Sequence, residues 1–186
     1  MRSIHLLVRV PADPATAYTA VSDFARYPEL ADDVRQARTG PPGTRQETYW
    51  EVNFRRGIMR WHETEVFDAE RLRIDFEQSD GDFDDFRGAW QVTVADGGSD
   101  VRFEVTYDFG IESLSGLMDP IAERVIKRAA VQVLGGLFGP IDVLEGAEAL
   151  TDLDTVPTAI AAQAAATGAA GYSDATATVP ALPGTV

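Results

Sequence analysis

Glu63 and Glu65, two residues apart, are the pair in this sequence best suited to moving protons. They lie in the run from Gly57 to Phe67, which alternates with a period of two. Met59, Trp61, Glu63, Glu65 and Phe67 share one face, and Ile58, Arg60, His62, Thr64 and Val66 share the other. Large apolar residues at both ends of the first face turn it inward, so two carboxyls stand in the middle of a buried row. An ionised carboxylate is costly there unless it is paired or hydrated. Burial and a like-charged neighbour both raise a carboxyl pKa. Residues two apart on a strand face have Cα atoms roughly 6.5–7 Å apart, so both acids could reach one pocket, one as acid and the other as base. The alternative is structural: pairing with arginines such as Arg38, Arg55 or Arg87, or a bulge that turns the acids to solvent.

Other side chains could complete a substrate site. Trp50, Trp61 and Trp90 offer flat walls for a planar ligand or plain core packing. Met59 lies on the same face as the two acids. Tyr107 points inward by parity, and its hydroxyl needs a partner when buried. Parity places His62 and Arg60 outward, while Tyr49 falls off the apolar face made by Trp50, Val52 and Phe54. The acidic turn from Asp80 to Asp85 lacks the spacing and distal Glu of a calcium loop and reads as solvated.

Composition removes several function classes. The chain has 186 residues, 45% of them hydrophobic, enough for one good core. It has no cysteine, which excludes disulfides, thiolate metal sites and cysteine nucleophiles. With two histidines, His5 and His62, no metal site is expected, and no cofactor is expected either. The formal net charge of -14 argues against nucleic acid, whose phosphates need clustered cations. It favours a neutral substrate or a basic partner. Without an apolar run of membrane-spanning length or a charged-then-apolar leader, the expectation is a cytoplasmic chain with no membrane span.

The elements that must position these residues are legible. Ile4, Leu6, Val8 and Val10 alternate as a strand, and Asp13-Pro14 starts a helix with Asp as N-cap. Tyr27 to Leu30 reads as a second short helix, followed by strands over 34–39, 45–54, 57–67, 71–78, 86–94 and 101–109. A long helix is expected from Asp119-Pro120, with Ile121, Val125, Ala129 and Val133 on one face and a stop at Gly135-Gly136. Residues 141–150 read as further helix. The predicted fold is α+β: a curved antiparallel sheet of about six to seven strands wrapped around a long C-terminal helix, with a cavity between them. Residues 1–150 form the expected domain. Residues 151–186, rich in Ala, Thr, Gly and Pro and without Lys or Arg, form an expected disordered tail.

The element order, the Ser22-to-Leu30 segment and the Gly88-Ala89-Trp90-Gln91-Val92 strand resemble the START-like helix-grip superfamily. More narrowly, the chain is similar to the group joining polyketide cyclase/aromatases with coenzyme-Q-binding and lipid-transport proteins. Asp82 to Trp90 and Leu114 to Pro120 look most like the coenzyme-Q-binding branch, and Asp68 to Phe76 is similar to single-domain cyclases. In those cyclases a small hydroxyl residue and an inward arginine occupy the positions that are Glu63 and Glu65 here. A family tyrosine falls at Val34, and a second arginine at Gln78. The resemblance therefore implies a cyclase with an acidic rather than an arginine-based site: Glu63 and Glu65 catalytic, with Trp61, Trp50, Trp90, Tyr107, Gln78 and Met59 binding substrate. The substrate would be a reactive poly-β-ketone, delivered by an acyl carrier protein, acted on by a monomer or homodimer. The alternative readings are a non-catalytic carrier of a prenylated quinone or other lipid, and a module that docks on a partner protein.

Overall fold

The computed structural model describes residues 1–54 and 57–150; the tail expected over 151–186 lies outside the described residues. Eight strands form one antiparallel sheet: β1 (Arg2–Val10), β2 (Val34–Thr39), β3 (Arg45–Phe54), β4 (Gly57–Asp68), β5 (Arg73–Gly81), β6 (Asp85–Ala95), β7 (Gly98–Asp108) and β8 (Asp142–Glu145). Their order across the sheet is β2-β3-β4-β5-β6-β7-β1-β8. Hairpins join β2 through β7 in sequence, and β1 closes on β7 with Leu6 opposite Phe103.

Alternation explains which face each strand buries. In β4, Met59, Trp61, Glu63 and Glu65 are buried while Arg60, His62 and Val66 are exposed. In β7, Val101, Phe103, Val105 and Tyr107 are buried. Against this inner face lie two short helices, α1 (Pro14–Val21) and α2 (Tyr27–Leu30), and the long α3 (Glu112–Phe138). The Asp13 carboxylate caps α1, accepting from the Ala15 and Thr16 backbone N–H groups. From α3, Ala122, Val125, Ala130, Val133 and Leu134 are buried against the sheet.

Three sequence expectations need correction. Asp119-Pro120 does not start α3; Pro120 lies inside it. The helix does not stop at Gly135-Gly136 but runs to Phe138, ending where Gly139 takes a positive φ of 77°. Gly136 serves packing instead, since a Cβ there would sit 2.8 Å from Leu30 Cδ2. Residues 141–150 are not a helix. They hold β8, which adds to the β1 edge and raises the strand count above six to seven, and a 3₁₀ turn over Ala147–Ala149. Among the described residues, no helix is long and apolar enough to cross a membrane.

Candidate functional site

The site is built where β3, β4 and β5 lie side by side. Thr48, Glu63 and Gln78 are cross-strand partners in one row. Trp50 and Trp61 pair in the neighbouring row, with ring centroids 6.0 Å apart and planes 16° from parallel. Both indoles and Glu63 face α3, which presents the small side chains of Ala129 and Ala130 opposite them. Bulky rings against short side chains leave a gap: an apolar cavity of about 100 Å³. Its walls include Trp50, Trp61, Trp90, Phe76, Phe86 and Phe103 from the sheet and Val125, Ala129 and Val133 from α3. Glu63 is the only carboxyl on its wall among the described residues.

Glu63 is 4% exposed and Glu65 is fully buried. Glu63 Oε2 accepts a hydrogen bond from Trp61 Nε1 at 2.9 Å. The Trp50 indole N–H also lies near Glu63 but completes no hydrogen bond. Both Glu65 oxygens lack a partner at ordinary hydrogen-bond distance; the Thr48 hydroxyl and the Glu63 carboxyl are the polar groups that bear on its proton. Removal from water pushes both carboxyl pKa values well up from the usual range. At Glu63 the Trp61 N–H works against this by favouring the anion, and the Glu65 carboxyl works with it. The pair therefore holds protons at a pH where exposed glutamates have none.

No cation offsets the two acids among the described residues. Arg38 stacks over the Tyr49 ring, its guanidinium 4.4 Å from the centroid, and Arg87 pairs with Asp85 at 3.2 Å. Arg55, the third arginine proposed as a partner, lies outside the described residues.

The structure gathers only part of the expected substrate wall. Trp50, Trp61, Trp90 and Glu63 line the cavity, while Glu65 stands beside Glu63 without lining it. Tyr107 is fully buried elsewhere, its hydroxyl donating to the Asp119 carbonyl at 3.1 Å. Gln78 adjoins Glu63 in register, yet its amide donates to the Phe83 carbonyl at 2.8 Å, and its Oε1 is buried without a partner. Met59 lines a separate hollow of about 310 Å³ with Phe54, Phe109 and Met118. His62 points outward as parity predicts, 5.0 Å from the Tyr49 ring. Thr48 was readable as well, since it shares parity with Trp50, Val52 and Phe54. The cavity residues Phe24, Tyr27 and Val125 were not, because three separate elements bring them there. A larger groove of about 740 Å³ lies among outward side chains such as Arg45, Arg73, Asp75 and Glu104, and holds neither acid.

Comparison with known proteins follows this geometry. No curated protein matches the chain. Among solved structures, TTHA0849 from Thermus thermophilus is 25% identical, with a TM-score of 0.66 over 73% of this chain and 94% of that one. The Zhui aromatase/cyclase from a Streptomyces species is 17% identical, with a TM-score of 0.63 over 74% of this chain and 92% of that one. A START superfamily protein from Mycobacterium smegmatis is 14% identical, with a TM-score of 0.63 over 73% and 96%. These likenesses establish a helix-grip fold. The family model for polyketide cyclase/dehydrase and lipid transport matches residues 10–132, the span that holds β2 through β7 and most of α3, and the chain belongs to that family.

Proposed function

We propose that this protein closes and dehydrates a ring in a poly-β-ketone, with Glu63 as the group that touches the substrate. The observation carrying this reading is a buried carboxyl on the wall of an apolar cavity, with no cationic partner among the described residues. A methylene between two ketones is acidic enough for a raised-pKa carboxylate to deprotonate. Glu63 takes that proton, and the enolate carbon forms a C–C bond to a second ketone carbon. The oxygen of that ketone gathers negative charge and needs a donor; Trp50 Nε1, buried without a partner, supplies one. Glu63 then returns its proton to this oxygen, leaving a β-hydroxy ketone and a free carboxylate. Dehydration repeats the cycle. Glu63 removes the remaining α-proton, and the hydroxyl leaves with that proton as water.

Glu65 acts through Glu63. Its proton and charge set how readily Glu63 ionises, so it is a positioning residue. Folding the chain so that the reacting carbons meet supplies much of the remaining acceleration. A carrier of a prenylated quinone fits less well, because an unpaired buried carboxyl on the wall would weaken the binding of an apolar tail.

The test is turnover of a short poly-β-ketone thioester, followed by absorbance of the cyclised product. Glu63→Gln should lower kcat by about 10²–10⁴-fold with the thermal midpoint and circular dichroism spectrum kept. Full activity in that variant overturns the reading.

A further inference from the structure

We infer that the seam between α3 and residues 24–34 is the way into the cavity beside Glu63, and that Arg128, Gln132 and Gly136 on α3 fasten it shut. The inference goes beyond the cyclase reading and takes from it only that a ligand must reach Glu63. A cavity of about 100 Å³ is too small for a poly-β-ketone until a wall moves. The sheet is poorly suited to move, because each of β3 through β7 is hydrogen-bonded to a strand on both sides. Two walls are left. Phe24, Tyr27 and Val34 form one, and Val125, Ala129 and Val133 of α3 contribute to the other.

Residues four apart share a helix face. Val125, Ala129 and Val133 are one such stripe and face the cavity; Arg128, Gln132 and Gly136 are the stripe beside it and meet the segment. Arg128 donates from Nε and Nη2 to Asp33 Oδ2, the Nε bond measuring 2.8 Å. Gln132 brackets Asp32: its Nε2 donates to the carboxylate at 2.8 Å, and its Oε1 accepts from the backbone N–H at 3.2 Å. Gly136 lies against Leu30, where an added Cβ would sit 3.3 Å from the Leu30 Cβ. The polar fastenings adjoin cavity residues in the chain. Arg128 precedes Ala129, Gln132 precedes Val133, and Asp33 precedes Val34. The seam therefore runs along the rim of the cavity.

The segment is moored elsewhere at both ends. The Tyr27 hydroxyl donates to the Val21 carbonyl at 2.8 Å, and the Asp33 carbonyl accepts from the Asn53 N–H at 2.7 Å. Where the segment enters β2, the pairing with β3 shifts register between Val34 and Gln36, which loosens the ladder at that point. Among the described residues, no backbone-to-backbone hydrogen bond crosses from the segment to α3. The Gln132–Asp32 bonds are exposed and the Arg128–Asp33 pair is only partly buried. Surface contacts of this kind separate at lower cost than strand ladders or packed core.

All three tryptophans of the chain, Trp50, Trp61 and Trp90, are buried and line this cavity. Quenching of their fluorescence by acrylamide therefore reads entry without any substrate. Arg128→Ala should raise the quenching constant about twofold or more. Arg9→Ala, which breaks a similar pair with Asp100 on the sheet, should leave it unchanged. The second arm is a reversible lock. The chain has no cysteine, and the separation at Leu30 and Gly136 is close to the roughly 3.5–4.5 Å between the Cβ atoms of a disulfide. The full chain carrying Leu30→Cys and Gly136→Cys should be quenched about twofold less when oxidised than when reduced. Its turnover of the poly-β-ketone thioester should fall about tenfold or more on oxidation, and dithiothreitol should restore both. Once mass spectrometry shows the bond, equal quenching or undiminished turnover in the oxidised form overturns the inference. So does an Arg128→Ala quenching constant no higher than that of Arg9→Ala. If the double variant does not fold, the two arginine variants decide. Full activity in Glu63→Gln removes the cyclase reading and leaves the seam standing; unchanged quenching removes the seam and leaves the cyclase reading standing.

Discussion

Trp61 and Glu63 oppose each other's isolation: the indole N–H would be a buried orphan donor without the carboxyl, and the carboxyl would ionise still less readily without the indole. A hydrogen bond to a charged acceptor contributes roughly 1.5–3 kcal/mol. Trp61→Phe removes the donor at 2.9 Å while keeping a ring, so the basic form of Glu63 should appear at higher pH. The expected result is a shift of the acidic limb of the kcat profile upward by about one pH unit, roughly 1.4 kcal/mol, with the basic limb moving less. Glu65 allows a stability test. Its folded pKa is raised by burial, so the folded state holds a proton that the unfolded chain releases above the ordinary Glu value of about 4.3. Stability is then fully present below that pH and is lost as pH rises through the folded pKa. Glu65→Gln cannot ionise, so its unfolding free energy should exceed that of wild type increasingly from pH 5 to pH 8. Chemical denaturation across that range measures it, and parallel curves would show that Glu65 is paired in solution.

At the scale of elements, the site depends on how closely β6 approaches its neighbours. Gly88 sits opposite Phe76 on β5 and Val105 on β7. A Cβ there would lie 2.1 Å from the Glu104 carbonyl oxygen and 2.6 Å from the Phe76 ring. The ring tip could yield, but the backbone of β7 could not. Gly88→Ala should therefore cost on the order of 3 kcal/mol or more, a fall of roughly 6–12 °C in Tm for a chain of this size, measurable by calorimetry. The same elements show how far sequence reasoning reaches. The limits of β2 and β3 were legible to the residue, because the Gly40-Pro41-Pro42-Gly43 turn separates them and Trp50, Val52 and Phe54 alternate along β3. The inward turn of Glu63 and Glu65 was legible too, because parity follows from the flanking Met59, Trp61 and Phe67. The start of α3 was not, since Asp-Pro signals a first turn whether or not helix precedes it, and nothing local reports the residues upstream. The strand β8 was hidden for a related reason: Asp142 to Glu145 pairs with the β1 edge, and a four-residue strand has too short a pattern to compete with helical propensity.

Across the whole molecule, charge sets the conditions under which this buried pair works. The formal net charge is -14, and only three of the acids, Asp152, Asp154 and Asp174, lie beyond residue 150. The remaining excess surrounds a sheet whose outward faces pair many of their arginines locally, as in Arg9–Asp100 at 2.7 Å and Arg73–Asp75 at 2.6 Å. Those pairs are short-range and lie at the surface, partly buried for Arg9–Asp100 and exposed for Arg73–Asp75, so each contributes modestly, while the unpaired excess repels over distances set by the Debye length. Raising ionic strength from 0.01 to 0.1 M shortens that length from about 30 Å to about 10 Å. It should weaken the repulsion more than the pairs. The thermal midpoint at pH 7.5 should then rise by a few degrees over this interval, and the same change near the isoelectric point of about 4.4 should produce almost none. A fall in the midpoint at pH 7.5 would mean that local ion pairs outweigh the net field. In that case the net surface field would add little to the raised carboxyl pKa values of Glu63 and Glu65, which burial and neighbouring carboxylates set. The position of the acidic limb of the pH–rate profile should then be the same at both salt concentrations, and measuring it at each separates the two causes.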